Sequence, residues 1–171
     1  MLDGFFKPKA VAVVGASREE GKVGFSITMN LIRGRFPGPI YPVNPKAAEI
    51  LGMKSYPGVK DLPDDADLAV LVIPPKACLP TLEACAAKGI RHAIVISAGF
   101  KEVGGEGADL EKTLRLRVHE LGMRVVGPNC LGIIDTKSRL NATFAAGMPP
   151  VGEIGFFSQS GSLLAAIVDM A

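Results

Sequence analysis

Cysteine, histidine, runs of like charge and long apolar stretches are all scarce in this 171-residue chain, and each scarcity removes a class of function. Three cysteines (Cys78, Cys85, Cys130), an odd count without a CxxC pair, suit reduced thiols better than a disulfide frame or a zinc site. The longest apolar runs, such as LAVLVIPP, fall far short of a spanning helix. The opening MLDGFFKPK also has Asp3 where a secretory signal would be basic and apolar. A cytoplasmic protein with no membrane partner is expected. Nineteen basic and seventeen acidic residues are spread without runs and leave a formal charge of +2, so the electrostatic stripe that nucleic acid requires is missing. What is present is a 48% hydrophobic composition, enough to fill the core of one α/β domain with room for a fragment of a second.

Short Val- and Ile-rich runs alternate with helical patterns: AVAVV, PIYPV, LAVLVI, HAIVIS, RVVG and finally EIGFF. This alternation predicts a doubly wound, mostly parallel sheet with helices on both faces. The helix after the first strand sets Ile27 and Leu31 one turn apart and stops at Gly34. A later one over residues 108–121 sets Leu110, Leu114, Val118 and Leu121 on one stripe, with Gly122 as terminator. Residues 76–88 are expected to be helical too, with Pro80 tolerated in the first turn. Residues 141–152 (NATFAAGMPPVG) are poor in charge, carry a PP pair and lack helical period, so they read as a linker. The expected organisation is a Rossmann-like unit over residues 1–150 and the start of a second unit over residues 151–171.

The most informative stretch is VAVVGASREEGKVGF, in which a β-branched strand enters a turn punctuated by Gly15, Gly21 and Gly24 and then a helix. A βα unit presents free backbone N–H groups to a phosphate in this way. Three glycines and Ser17 directly after the first strand favour phosphate binding over turn geometry alone. At the end of the second strand, where an NAD-binding unit places an acidic residue for the ribose hydroxyls, stand Val43, Asn44, Pro45 and Lys46. A lysine there favours an additional phosphate, which coenzyme A and NADP both carry, and the turn lacks the middle glycine of GxGxxG. The segments following the strands, GASREEGKVG, NPK, PPK, SAGF and GPNC, are small, Pro-containing or polar, as backbone closing on an extended ligand requires. One groove could collect all five.

Plainer roles compete at several positions. Lys22 and Lys46 read equally as solvated surface lysines, with their loop positions favouring the ligand role. Pro45, Pro74 and Pro75 serve as well to stop strands, and Ser97 to cap one. Cys130 has no histidine near it in sequence and reads as a buried structural thiol; Cys78 and Cys85, two helical turns apart, read as core filler. His92 opens a strand and so belongs at the sheet end opposite the groove, while His119 lies on the polar side of a helix. Neither is placed for phosphoryl transfer.

In order along the chain, GAS…GKVG, PVNPK, VIPP, SAGF, GPNCLG and FFSQSG resemble the N-terminal coenzyme A-binding domain of the NDP-forming acyl-CoA synthetases. This family includes the succinyl-CoA synthetase α subunit and the ADP-forming acetyl-CoA synthetases, and the resemblance covers essentially the whole chain. It implies that the turn with Gly15, Ser17, Arg18, Gly21 and Lys22, together with Asn44, Pro45 and Lys46, holds the phosphate and adenosine part of coenzyme A. Ile73, Pro74 and Pro75 with Ser97, Ala98 and Gly99 would line the pantetheine, and Asn129 would lie toward the thiol.

The tail repeats strand, turn and helix in miniature, with Ser160 and Gly161 placed to turn free N–H groups toward an anion. Alone, SQSG reads as a serine N-cap. With five motifs upstream, the resemblance implies the start of a flavodoxin-like second domain whose helix N-terminus stabilises a phosphohistidine. That histidine is not in this chain, which is therefore expected to be a catalytically inactive piece of a longer ligase. The parent reaction would join acid, coenzyme A and ATP into acyl-CoA, ADP and phosphate. ATP or ADP and Mg2+ would be bound by an ATP-grasp domain or β subunit elsewhere. The apolar residues after Gly152 would have to pack on the first domain or on another chain, or stay mobile, and self-association or disorder is expected there. Two other readings stay open: a stand-alone or acetyltransferase-fused coenzyme A-binding regulatory module, and an NADP-binding oxidoreductase domain. The last is disfavoured because no catalytic Tyr, Lys or His constellation is evident.

Overall fold

In the computed structural model, which describes residues 2–171, a short helix α1 (Asp3–Phe6) precedes β1 (Val11–Val14). There follow α2 (Val23–Arg33), β2 (Ile40–Val43), the small hairpin β3 (Glu49–Ile50) and β4 (Met53–Lys54), β5 (Leu68–Leu71), α3 (Pro75–Ala87) and β6 (His92–Val95). The chain continues through α4 (Gly105–Glu120), β7 (Arg124–Val126), a second hairpin of β8 (Gly132–Asp135) and β9 (Leu140–Thr143), and α5 (Gly161–Met170). Five strands pair in parallel in the order β2-β1-β5-β6-β7, the expected α/β sheet. From β1 the chain turns to one side for β2 and then crosses to the other for β5. The order therefore reverses at β1 and β5, and a crevice opens beyond their carboxyl ends.

β1 (VAVV) and β5 (LAVL) are buried at every position, because both faces of the sheet are covered. On one face Ala12, Val14, Leu71 and Val95 meet Cys78, Leu82 and Cys85 of α3 and Leu114 and Val118 of α4. On the other, Val11, Val13, Val70 and Ile94 meet Ile27 and Leu31 of α2 and Leu140 and Ala142 of β9. Each fully buried aliphatic side chain contributes about 1.5–3 kcal/mol. Cys78 and Cys85 are core residues, as their spacing suggested.

Three expectations fail. α3 begins at Pro75, so Pro80 lies inside the helix and not in its first turn; its ring nitrogen offers no hydrogen for the Lys76 carbonyl. Residues 141–145 are not linker: all four positions of β9 are buried, and Asn30 Nδ2 donates to the carbonyls of Thr143 (2.8 Å) and Ala145 (2.7 Å). The charge-poor sequence there reflects burial against α2. EIGFF forms no strand, since nothing beside it offers a ladder: Ile154 is 93% and Phe157 91% exposed. α5 likewise buries none of its residues fully: Gly161, Leu164, Ala165, Ile167 and Val168 are half-buried, and Leu163 and Met170 are exposed. Among the described residues no helix is long and apolar enough to cross a membrane.

Candidate functional site

The carboxyl ends of β1, β2 and β5 open into a groove of about 630 Å³, within the roughly 300–1,000 Å³ of small-molecule sites. Of the residues singled out in the sequence, Gly15, Asn44, Pro45, Lys46, Ile73 and Pro74 line it. Gly15 has φ +93°, and a Cβ there would run into the Val72 carbonyl; one on Gly24 would run into the carbonyl of Gly15. The first turn of α2 thus sits directly against the glycine turn, an approach that only residues without a side chain permit. Gly21 has φ +82° with nothing within 4 Å of a built Cβ, so it is needed for backbone conformation alone.

The remaining residues of that turn lie outside the groove lining. Ser17 Oγ accepts the Glu19 N–H at 3.0 Å, and Lys22 Nζ stands 3.9 Å from Glu19 Oε2 with both side chains largely in solvent. Arg18 is exposed on the same turn. Asn44 faces inward as a brace: Nδ2 donates to Ala16 O at 2.8 Å and Oδ1 accepts the Lys46 N–H at 2.8 Å. Lys46 itself is exposed and forms no ion pair among the described residues.

Ser97, Ala98, Gly99 and Asn129 form a second row, past the carboxyl ends of β6 and β7 and outside the groove lining. Buried Ser97 accepts the Ile73 N–H at Oγ (3.1 Å), donates to Leu71 O (3.4 Å), and accepts the Asn129 N–H at its carbonyl (3.0 Å). It therefore joins the ends of β5 and β6, and its hydroxyl is engaged with backbone. A Cβ on Gly99 would press on the ring of Pro75 at 2.9 Å, so this row abuts the first residue of α3. The amides of Gly99 and Phe100 both donate to Glu102 Oε1, and the Gly99 bond, the largest cause, holds the Glu102 carboxyl below its ordinary range. Burial pushes the Cys130 thiol up to about 11, and its Sγ donates to Val95 O at 3.4 Å, as befits a structural thiol.

His92 opens β6 at the far end of the sheet, its ring edge-on to Phe5 with centroids 5.0 Å apart, while His119 is exposed on α4. Neither approaches the groove. In the tail, Ser160 Oγ accepts the Leu163 N–H at 3.3 Å, the geometry of a serine N-cap, and Gly161 opens α5.

Two walls of the groove escaped the sequence reading: Pro57, Gly58 and Val59 on one side, and Ala77, Pro80, Thr81 and Ala84 of α3 on the other. The signal for the second was available. Small side chains recur at 77, 81 and 84, each one residue before a member of the core-facing stripe Cys78, Leu82 and Cys85 and so on the face beside it, and that spacing keeps one helix face low.

Residues 9–136 match the family described as CoA binding domain. The ADP-forming acetate–CoA ligase I of Archaeoglobus fulgidus is 48% identical over 168 residues, covering 98% of this chain and 24% of that protein. The α subunit of the ADP-forming acetate–CoA ligase II of Pyrococcus furiosus is 45% identical, covering 98% of this chain and 36% of the subunit. The solved acetyl-coenzyme A synthetase 1 of Candidatus Korarchaeum cryptofilum, in complex with phosphate and ADP, superposes with a TM-score of 0.94 at 44% identity, covering 99% of this chain and 36% of that one. The chain thus spans about a quarter to a third of the length of these relatives.

Proposed function

The chain belongs to the CoA binding domain family, and from that premise we propose that it holds coenzyme A along the carboxyl edge of its sheet as one part of a longer ADP-forming acyl-CoA ligase. The observation that carries this reading is a largely apolar groove at the reversal point of the strand order, with an unpaired lysine at its lip and glycine-built backbone at its floor. In this reading Lys46, Arg18, Lys22 and the amides of the glycine turn meet the phosphates. The low face of α3 with Pro45, Ile73 and Pro74 takes the apolar parts, and Pro75, Ser97, Ala98, Gly99 and Asn129 continue the path toward the thiol. Coenzyme A supplies the sulfur that carries the acyl group; the chain's own task is to bind, orient and exclude water.

The parent protein would convert acid, coenzyme A and ATP into acyl-CoA, ADP and phosphate in the cytoplasm, by way of an acyl phosphate and a phosphohistidine. The histidine would belong to the unit that begins past residue 150, with Ser160 and Gly161 facing its phosphate. ATP, ADP and Mg2+ would be held by an ATP-grasp domain or a β subunit. The exposed tail, with Phe157 and Ile154 bare, supports contact with such further parts or with a second copy. Calorimetric titration of the 171-residue chain with coenzyme A and with NADP tests the proposal. Coenzyme A is expected to bind without turnover; binding of NADP with none of coenzyme A overturns it.

A further inference from the structure

Two stretches of backbone at the polar mouth of the groove are joined through one side chain. Asn44 Nδ2 donates to Ala16 O in the glycine turn, and Asn44 Oδ1 accepts the N–H of Lys46, both at 2.8 Å. The residue is itself pinned to the sheet edge: its backbone N–H donates to Tyr56 O at 2.9 Å, and the preceding Val43 carbonyl accepts the Gly15 N–H at 3.0 Å. Asn44 is half-buried and lines the groove, whereas Lys46 is exposed and unpaired among the described residues.

A lysine tip on a freely rotating stem discriminates poorly, because ordering the stem costs entropy and water screens the charge. Fixing the backbone at its root before the ligand arrives removes part of that cost. The amide of Asn44 does this for Lys46, and the same amide sets the distance from Lys46 to the glycine turn.

We propose that Asn44 is a specificity-determining positioning residue, which holds Lys46 and the glycine turn at a fixed separation so that a nucleotide bearing both a pyrophosphate and a ribose phosphate is favoured over one lacking the ribose phosphate. The inference rests on the coenzyme A reading above and adds to it a residue that acts through others. Removing the amide frees both partners. A serine at the same position still offers an oxygen to the Lys46 N–H, as Ser/Thr turns do, but is too short to reach Ala16.

The test is calorimetric titration of the unaltered chain, Asn44→Ala and Asn44→Ser with coenzyme A and with 3′-dephospho-coenzyme A at one ionic strength. The unaltered chain is expected to prefer coenzyme A by roughly tenfold, the scale of one charge-assisted hydrogen bond. In Asn44→Ala that preference falls to about twofold or less. In Asn44→Ser, which still braces Lys46 but no longer ties it to the glycine turn, both affinities fall and the preference lies between those of the other two chains. An Asn44→Ala chain with full preference overturns the inference. Should that variant fail to fold, Asn44→Ser binding both nucleotides as tightly as the unaltered chain overturns it independently. If the unaltered chain binds neither nucleotide, the coenzyme A reading falls and this inference with it; binding with a preference indifferent to Asn44 removes the inference alone.

Discussion

Gly15 and Gly21 share a left-handed backbone but differ in what surrounds them, and alanine at each position separates two costs. A side chain at φ +82° in open space, as in Gly21→Ala, meets only the conformational penalty of about 1 kcal/mol. Gly15→Ala meets the same penalty at φ +93° and also drives a methyl group into the Val72 carbonyl of the neighbouring strand's exit. That overlap forces β1 and β5 apart locally, a strain of about 1–3 kcal/mol, and loosens the Gly15 N–H bond to Val43 O, worth about 1 kcal/mol. The expected losses are about 1 kcal/mol for Gly21→Ala and about 3–5 kcal/mol for Gly15→Ala. A chain of this size loses roughly 2–4 °C of Tm per kcal/mol, so thermal unfolding by circular dichroism should show a fall of about 2–4 °C for the first and at least ~6 °C for the second. Equal shifts, or a milder effect at Gly15, would refute the claim that the turn is set by close approach of backbone.

Thr81→Leu fills part of the groove from α3 with a better helix former, so coenzyme A affinity is expected to drop at least ~10-fold while Tm stays within about 2 °C; unchanged affinity on calorimetry would show that the ligand does not sit there. Asn30→Ala leaves the buried carbonyls of Thr143 and Ala145 without the donor they share, at a cost of about 2–4 kcal/mol. A Tm fall smaller than ~4 °C would contradict that role. The Glu102 carboxyl titrates below its ordinary value in the folded chain, so its contribution to stability is complete above the ordinary glutamate range and is lost as pH falls through the folded value. The Tm gap between the unaltered chain and Glu102→Gln should be present near neutrality and close in acid, and a gap independent of pH would remove the charge from the explanation.

The central parallel strands were legible because a strand covered on both faces is apolar along its buried length, and VAVV, LAVL and the AIV of β6 each announce that without reference to their partners. The hairpins were not. β3 and β4 are two residues each, and β9 (LNAT) buries Asn141 and Thr143, which look solvent-facing until their internal bonds are known: Asn141 Oδ1 takes the Thr143 hydroxyl at 2.7 Å, and its Nδ2 donates to Gly147 O. Within the site, Gly15, marked by the turn it must make, and the Asn44, Pro45, Lys46 run, marked by its place at the end of the second strand, were found from sequence and do share the groove. Ser97 was found as well, but its hydroxyl links two strand ends and lies outside the groove lining. The wall formed by Ala77, Thr81 and Ala84 was missed because its contribution is empty space: the spacing of small residues marks a low helix face but not what that face leaves room for.

The bond from Asn30 to Thr143 spans 113 residues, and with it β9 closes over the α2 face of the sheet. A polypeptide emerging from the ribosome therefore has Ile27 and Leu31 covered on the sheet side alone until Leu140 and Ala142 have left the exit tunnel. Any gene fragment stopped ahead of Leu140 makes that nascent condition permanent, leaving a sticky flank where the finished molecule has a sealed one.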